Sequence, residues 1–329
     1  MISSALERCT FPAAGSPLAC AVSGGADSLA MLALAAAAGC RITVWHIDHG
    51  QRPDGPAEAA LVEAAAARYG AAFEARSVAV PDGPNLEARL RRARYEALPG
   101  VVAVGHTADD QVETLLLNMM RGAGPDGLSP MAGLVGAVGP DGVEGVQVCA
   151  DGSTRPIERL RPILALRRRD TEAICAAEGL DFANDPTNAD PRFRRNRVRH
   201  ELLPLLADIF ERDPVPVLLR MIEQQRELAQ ALHERTDGLD LADAKVVAAL
   251  PAAIATSAVR RWLVRQDIRL LDGLNAAALE RVVAVARGDA VATELEGGFR
   301  VERSKQRLRL IGPSTDSDAP PDRAGPESG

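Results

Sequence analysis

Leu18-Ala19-Cys20-Ala21-Val22, then Ser23-Gly24-Gly25-Ala26-Asp27-Ser28, then the apolar residues 29–38 form the stretch that decides the fold. It reads as a short buried strand, a tight polar loop and a helix. That arrangement turns backbone N–H groups toward phosphate. Gly24 and Gly25 open backbone conformations closed to other residues and let a ligand approach the main chain. Ser23 and Ser28 add hydroxyl donors. The GxxxxGK[ST] spacing of a Walker A loop is absent, and the two lysines of the chain, Lys245 and Lys305, lie far downstream.

Working outward, strand-like and helix-like segments alternate through the first 120 residues, which predicts a parallel sheet covered by helices. Strands are expected at 41–48, 73–78 and 101–105, and helices at 56–69 and 109–121. A further helix, capped by Asn85, would carry Glu87, Arg91, Arg94 and Tyr95. Ligands of such sheets bind beyond the carboxyl ends of the strands. The segments 23–28, 46–50 and 105–111 all follow strands, so one rim should gather them. Residues 122–150 are rich in Gly and Pro and read as a long loop with a hairpin around Asp151-Gly152.

Helical patterning resumes near 168–178 and again after Arg195. Pro214 and Pro216 mark the expected junction between a domain at 1–213 and a mainly helical domain at 214–312, with a small antiparallel sheet at its end. The tail 313–329, with four prolines and four acids, is expected to be disordered. A length of 329 residues with 47% hydrophobic content supports two cores, and with aromatics at 3% these must be built from Ala, Leu and Val.

Residues 1–8 lack the basic start and apolar stretch of a signal peptide, and no run of about 18 apolar residues occurs. The five cysteines form no CxxC pair. These features predict a cytoplasmic protein with free thiols, no structural metal and no membrane span. The net charge of −7 argues against general nucleic-acid binding, yet basic residues cluster. Residues 155–169 hold six arginines against Glu158 alone, and 192–200 hold five plus His200 with no acid. Such islands suit selective phosphate contact, although 91 and 94 also fit a solvated helix face.

His46-Ile47-Asp48-His49-Gly50 reads as polar lining of a nucleotide pocket rather than as a zinc site. His46 and Asp48 share one side of a strand and leave His49 facing elsewhere. Gly105-His106-Thr107-Ala108-Asp109-Asp110-Gln111-Val112-Glu113-Thr114 clusters ionisable groups where a helix begins. Asp109 and Asp110 fit the ordinary role of acids at a helix N-terminus, and equally that of Mg²⁺ ligands beside a triphosphate.

The loop resembles the SGGxDS pyrophosphate loop of N-type ATP pyrophosphatases. Residues 18–205 as a whole resemble the tRNA(Ile)-lysidine synthetase family. The resemblance rests on SGGADS, on HIDHG followed by Gln51-Arg52, on Asn85-Leu86-Glu87-Ala88 with Arg91 and Arg94-Tyr95, and on GHTADDQVET. It continues through the run from Arg121 to Leu128 (RGAGPDGL), Arg161-Pro162, Asn184-Asp185-Pro186-Thr187-Asn188 and Arg195-Asn196-Arg197-Val198-Arg199-His200. Thr107 departs from the pattern, since relatives often carry a second histidine there.

The resemblance implies a parallel, doubly wound α/β domain that splits ATP into AMP and pyrophosphate. It also implies joining of free L-lysine to carbon 2 of the wobble cytidine of a tRNA(Ile) with a CAU anticodon. The cytidine oxygen would attack the α-phosphate, and the ε-amine of lysine would then displace AMP. Carried onto this chain, Ser23, Gly24, Gly25, Ala26, Asp27, Ser28, His46, Asp48 and Gly105 bind the nucleotide. Asp27, His106, Asp109, Asp110 and Glu113 serve the chemistry, and Asp27 with Asp109 or Asp110 organises Mg²⁺. A carboxylate among Asp48, Glu87 and Glu113 would accept the lysine proton. Glu87, Arg91, Arg94, Arg121, Arg195, Arg197, Arg199 and His200 would meet substrate or RNA. A homodimer is allowed for. A tRNA thiolase would need a cysteine at the rim, where no motif has one. A non-catalytic ATP-binding regulator would need neither the acids nor the arginines.

Overall fold

The computed structural model describes residues 1–48, 55–78, 93, 97–131, 145–148, 154–183, 190–267, 270 and 274–313. The expectations for His49, the helix bearing Glu87, Arg91 and Arg94, the segment 184–188 and the tail from 314 lie outside these residues.

The strands β1 (Pro17–Ala21), β2 (Arg41–Asp48), β3 (Ala72–Ser77), β4 (Val101–Val104), β5 (Gly145–Val148) and β6 (Thr154–Leu160) form one sheet in the order β3-β2-β1-β4-β6-β5. All neighbours run parallel except β5, which pairs antiparallel with β6. The hairpin expected near residue 150 is thus part of the main sheet, because β6 continues past its turn to pair with β4. The chain immediately after β6 therefore emerges on the same rim as the ends of β1, β2 and β4.

The helix Ala26–Ala37 is apolar all round and is accordingly buried: Leu29, Ala30, Met31, Leu32 and Leu34 expose nothing. It packs in one core with Val44 of β2, Val62 and Ala66 of the helix Gly55–Arg68, and Ile174 and Cys175 of the helix Arg168–Glu178. A second cluster joins Val112, Leu115 and Leu116 of the helix Ala108–Met119 to Val198, Val215 and Ile222. The chain from Arg194 to Phe210 is helical throughout, with a wide π turn at Val198–Leu202.

The chain divides into two compact units, Met1–Ala231 and Leu232–Gly329. The division falls inside the helix Val215–Glu234 and not at Pro214. The prolines there open a helix: Pro216 stands in its first turn, where a missing N–H costs nothing, and Asp213 accepts from Val215 N at 3.0 Å. The second unit holds helices Ala244–Ala249, Ala252–Gln266 and Ala276–Arg287 and the antiparallel strands β7 (Ala292–Leu295), β8 (Phe299–Ser304) and β9 (Arg307–Ile311). Trp262, Leu263, Val282, Phe299 and Val301 lie in its core. Among the described residues, no helix is long and apolar enough to cross a membrane.

Candidate active site

The phosphate loop is tighter than its sequence suggests. The helix starts at Ala26, inside the motif, with Gly25 as its N-cap. Gly24 takes φ +89°, a conformation that glycine adopts without strain, and its carbonyl accepts from Ala183 N at 2.9 Å. Ser28 is turned back into its own loop. Its hydroxyl donates to Gly25 O at 2.9 Å and accepts from Ser23 N at 3.2 Å, so it braces the turn. Ser23 stays exposed. The first N–H groups of the helix, which no intrahelical carbonyl can satisfy, mark the anion-binding end.

Gly105 ends β4 directly on this loop. A Cβ there would lie 2.9 Å from the Cα and N of Ser28 and 3.0 Å from the carbonyl carbon of Asp27. Only hydrogen fits between the two backbones, and the next residues, His106 to Asp110, are carried against the loop. His46 is buried, with Nδ1 2.9 Å from Val22 O, so it ties the end of β2 to the end of β1 and does not line an open pocket. Asp48 is half-buried at the end of β2, its carboxylate lying against Gly55.

The four acids expected to do chemistry converge, each in different company. Asp109 is fully engaged: Arg167 donates Nε to both oxygens at 3.0 and 3.1 Å, and Arg168 N donates at 2.8 Å. Asp110 closes the start of its helix, accepting from Thr107 N at 2.9 Å and Thr107 Oγ1 at 3.0 Å. Thr107, the departure from the family pattern, is thus a buried helix cap. Glu113 exposes nothing. It accepts Arg195 Nε at 2.9 Å and Arg199 Nε and Nη2 at 2.7 and 3.1 Å. Asp27 Oδ1 accepts from the Thr171 hydroxyl. Arg168 reaches three of the acids at once: Asp27 at 3.4 Å, and Asp110 and Glu113 at 3.5 Å each.

The electrostatics separate two carboxylates that share this guanidinium. Burial pushes Asp27 above its ordinary range, against the pull of Arg168 and the Thr171 hydroxyl. Burial would raise Asp110 too, but His106, Arg195, Arg168 and the Thr107 N–H together hold it below its ordinary range. On its other side His106 meets Arg161, whose Nε lies 3.3 Å from its Nδ1.

The arginine islands divide. Arg167, Arg168, Arg195 and Arg199 point inward to the acids, whereas Arg197 is exposed and pairs with Glu201, and Arg121 and His200 are exposed. Asp27, Asp109 and Asp110 do not form one metal-binding trio. Among the described residues, no three His, Cys, Asp or Glu side chains are grouped to hold an ion. Asp109 has no room for one. Asp27 Oδ2 and Asp110 Oδ1 both face the single guanidinium of Arg168, so a place for positive charge exists between them. The guanidinium fills that place, so the described residues offer no ready seat for Mg²⁺ between these two acids. Sequence reasoning missed Thr171 and read Arg167 and Arg168 as part of a basic island for phosphate contact. The signal was present: three arginines at a helix N-terminus oppose the macrodipole and call for acidic partners.

Comparison with known proteins agrees with this geometry. Residues 2–206 match the family model of the PP-loop domain. The tRNA(Ile)-lysidine synthase of Nocardia farcinica is 34% identical over 316 residues, covering 91% of this chain and 92% of that protein. The Salinispora tropica protein of the same name is 36% identical over 325 residues, covering 90% and 91%. Among solved structures, the U34-tRNA thiolase NcsA from Methanococcus maripaludis superposes with a TM-score of 0.50 at 15% identity, covering 69% of this chain and 78% of that one, a likeness of fold alone. With the phosphate loop, the acid-bearing helix start and relatives matched nearly end to end, the chain belongs to the tRNA(Ile)-lysidine synthase family of PP-loop proteins.

Proposed function

We propose that this chain ligates L-lysine to carbon 2 of the wobble cytidine of a tRNA(Ile) with a CAU anticodon, releasing AMP and pyrophosphate and leaving lysidine. The observation that carries the reading is the backbone contact of Gly105 on Ser28, which sets the acidic helix start beside the loop built for phosphate. In this reading the N–H groups at 24–27 and the Ser23 hydroxyl hold the β- and γ-phosphates of ATP as the cytidine oxygen attacks the α-phosphate. Mg²⁺ would neutralise charge on the triphosphate, held by phosphate oxygens rather than between Asp27 and Asp110, where Arg168 already sits. His106, carried against the loop by Gly105, is proposed to face the phosphates with its imidazole. Both oxygens of Glu113 are taken by arginines, so Asp48 is the described carboxylate proposed to take the lysine proton.

Exposed Arg121, Arg197 and His200 are proposed to meet RNA phosphates. The catalytic assignment 1–213, the RNA-holding assignment 214–312, a cytoplasmic site of action and a homodimer belong to the same proposal. A sulfur-transfer reading finds no support in Cys175, a thiol packed against the start of the loop helix. It is fully buried behind Ala26, and burial pushes it up to about 11, so it stays protonated. The experiment is direct: incubate the protein with ATP, Mg²⁺, labelled lysine and unmodified tRNA(Ile). Label in the RNA with matching AMP is expected, and pyrophosphate release with unlabelled RNA sinks the ligase reading.

A further inference from the structure

We infer that Arg168 is a positioning residue for the reaction, the hub that holds the phosphate loop and the acid-bearing helix in working register. The inference rests on the function proposed above. Three acids from two separate elements meet one guanidinium. Asp27, from the loop, lies 3.4 Å from Arg168 Nε; Asp110 and Glu113, from the helix Ala108–Met119, lie 3.5 Å from Nη2 and Nη1. The same residue's backbone N–H holds Asp109 at 2.8 Å. Residue 168 therefore touches all four acids of the site.

Charge explains why the hub must be cationic. Asp27, Asp110 and Glu113 are three carboxylates in a mostly buried cluster. Arg195 and Arg199 reach Glu113, and Arg199 also comes within 3.9 Å of Asp110, but among the described residues only Arg168 contacts Asp27 and Asp110 together. Without it the two elements carry like charges facing one another across a low-dielectric gap, and they separate. Its shape matters as well. A planar fork presents donors in three directions, which an ammonium on a flexible stem cannot reproduce in one pose. The backbone anchors the hub independently, because Arg168 opens the helix Arg168–Glu178, which packs in the same core as the loop helix.

Misplacement of reacting groups by about 1 Å lowers turnover roughly a hundredfold, without removing the loop donors that bind ATP. Arg168→Ala is therefore expected to lower kcat for lysidine formation by about 100-fold while changing KM for ATP by less than about fivefold. Free guanidinium ion added to Arg168→Ala restores at least about a tenth of the lost rate and leaves wild type unaffected, as expected if local charge and shape are what was lost. Arg168→Lys, which keeps the charge and the fold, falls between the two. If Arg168→Ala does not fold, the same kcat-against-KM split is read on Arg168→Lys. A kcat near wild type in the folded variant overturns the inference, as does a loss confined to KM or one that guanidinium does not relieve. Wild type that forms no lysidine overturns the functional reading instead, so the two failures are separable.

Discussion

Glu113 and Arg199 form a two-point contact in which the carboxylate has no solvent exposure: Nε lies 2.7 Å from Oε1 and Nη2 3.1 Å from Oε2. Arg195, one helical turn earlier, takes Oε2 as well at 2.9 Å and reaches Thr114 Oγ1 at 2.6 Å. One buried acid thus fixes two arginines of the island at 192–200. Removing it leaves those charges inside without an anion, and this costs more than the contact itself contributes. Glu113→Gln is expected to lower unfolding stability by about 3 kcal/mol, read by denaturant titration. An unchanged midpoint would mean that Arg195 and Arg199 relax to solvent freely.

Gly105→Ala tests the contact between loop and helix start. The new methyl would sit 2.9 Å from backbone atoms of Ser28, which cannot swing aside as a side chain would. A stability loss of about 1–3 kcal/mol is expected, together with weakened ATP binding as the loop is displaced. Calorimetric ATP titration of the variant measures the second effect, and wild-type affinity there would show that the loop does not bind the nucleotide.

Asp27 links stability to pH. Its folded pKa lies above its ordinary value of 3.8 because burial penalises the charged form. Its contribution to stability is therefore fully present below that ordinary value and is lost as pH rises through the folded pKa. Asp27→Asn removes the buried charge, so at pH 7 it is expected to melt above wild type, with the gap closing as the pH is lowered past 4. The same variant should release no pyrophosphate. A higher melting temperature with normal turnover would leave Asp27 without a chemical role. Asp110 has the opposite sign: its depressed pKa supports the fold above 3.8 and ceases to as the pH falls through the folded value.

Arg197 and Arg199 stand two residues apart and should behave as opposites. Arg197 is exposed and paired with Glu201 on its own helix, so Arg197→Ala is expected to leave the melting temperature unchanged. It should also reduce the salt dependence of tRNA binding by about one unit of slope if it meets a phosphate. Arg199→Ala is expected to destabilise the fold, because Glu113 loses its two-point partner. Filter binding across a salt series, paired with melting curves, separates the two.

Cys175→Ala is expected to retain lysidine formation. The buried thiol donates to Ala26 O, and burial keeps it protonated. Loss of modification without loss of fold would reopen the sulfur-transfer reading.

The rim was legible in the sequence because it is local. Each of the segments beginning at Ser23, His46 and Gly105 follows an apolar run, and β2, β1 and β4 prove to be neighbours. The company those residues keep was not legible. Thr171 lies 144 residues from Asp27, and Arg168 lies 55 from Glu113. Nothing in a run of arginines tells which will turn inward. The same holds for His46, whose ring reads as pocket lining until Val22 O is seen to occupy it. Pro214 and Pro216 read two ways for a different reason. Proline breaks a helix in its interior and starts one in its first turn, and the sequence around 214 fits both.

The wide turn at Val198–Leu202 takes up one residue more than ordinary winding would. Tightened at the same length, it would rotate everything downstream by about 100° about the axis. Leu202 and Leu203 would leave the cluster they share with Leu116, and the lead into Asp213, where Arg167 fastens, would be carried off with them. Loss of one residue would instead close the turn with the later helix nearly in phase, so the stretch should tolerate a shorter chain better than a tighter coil.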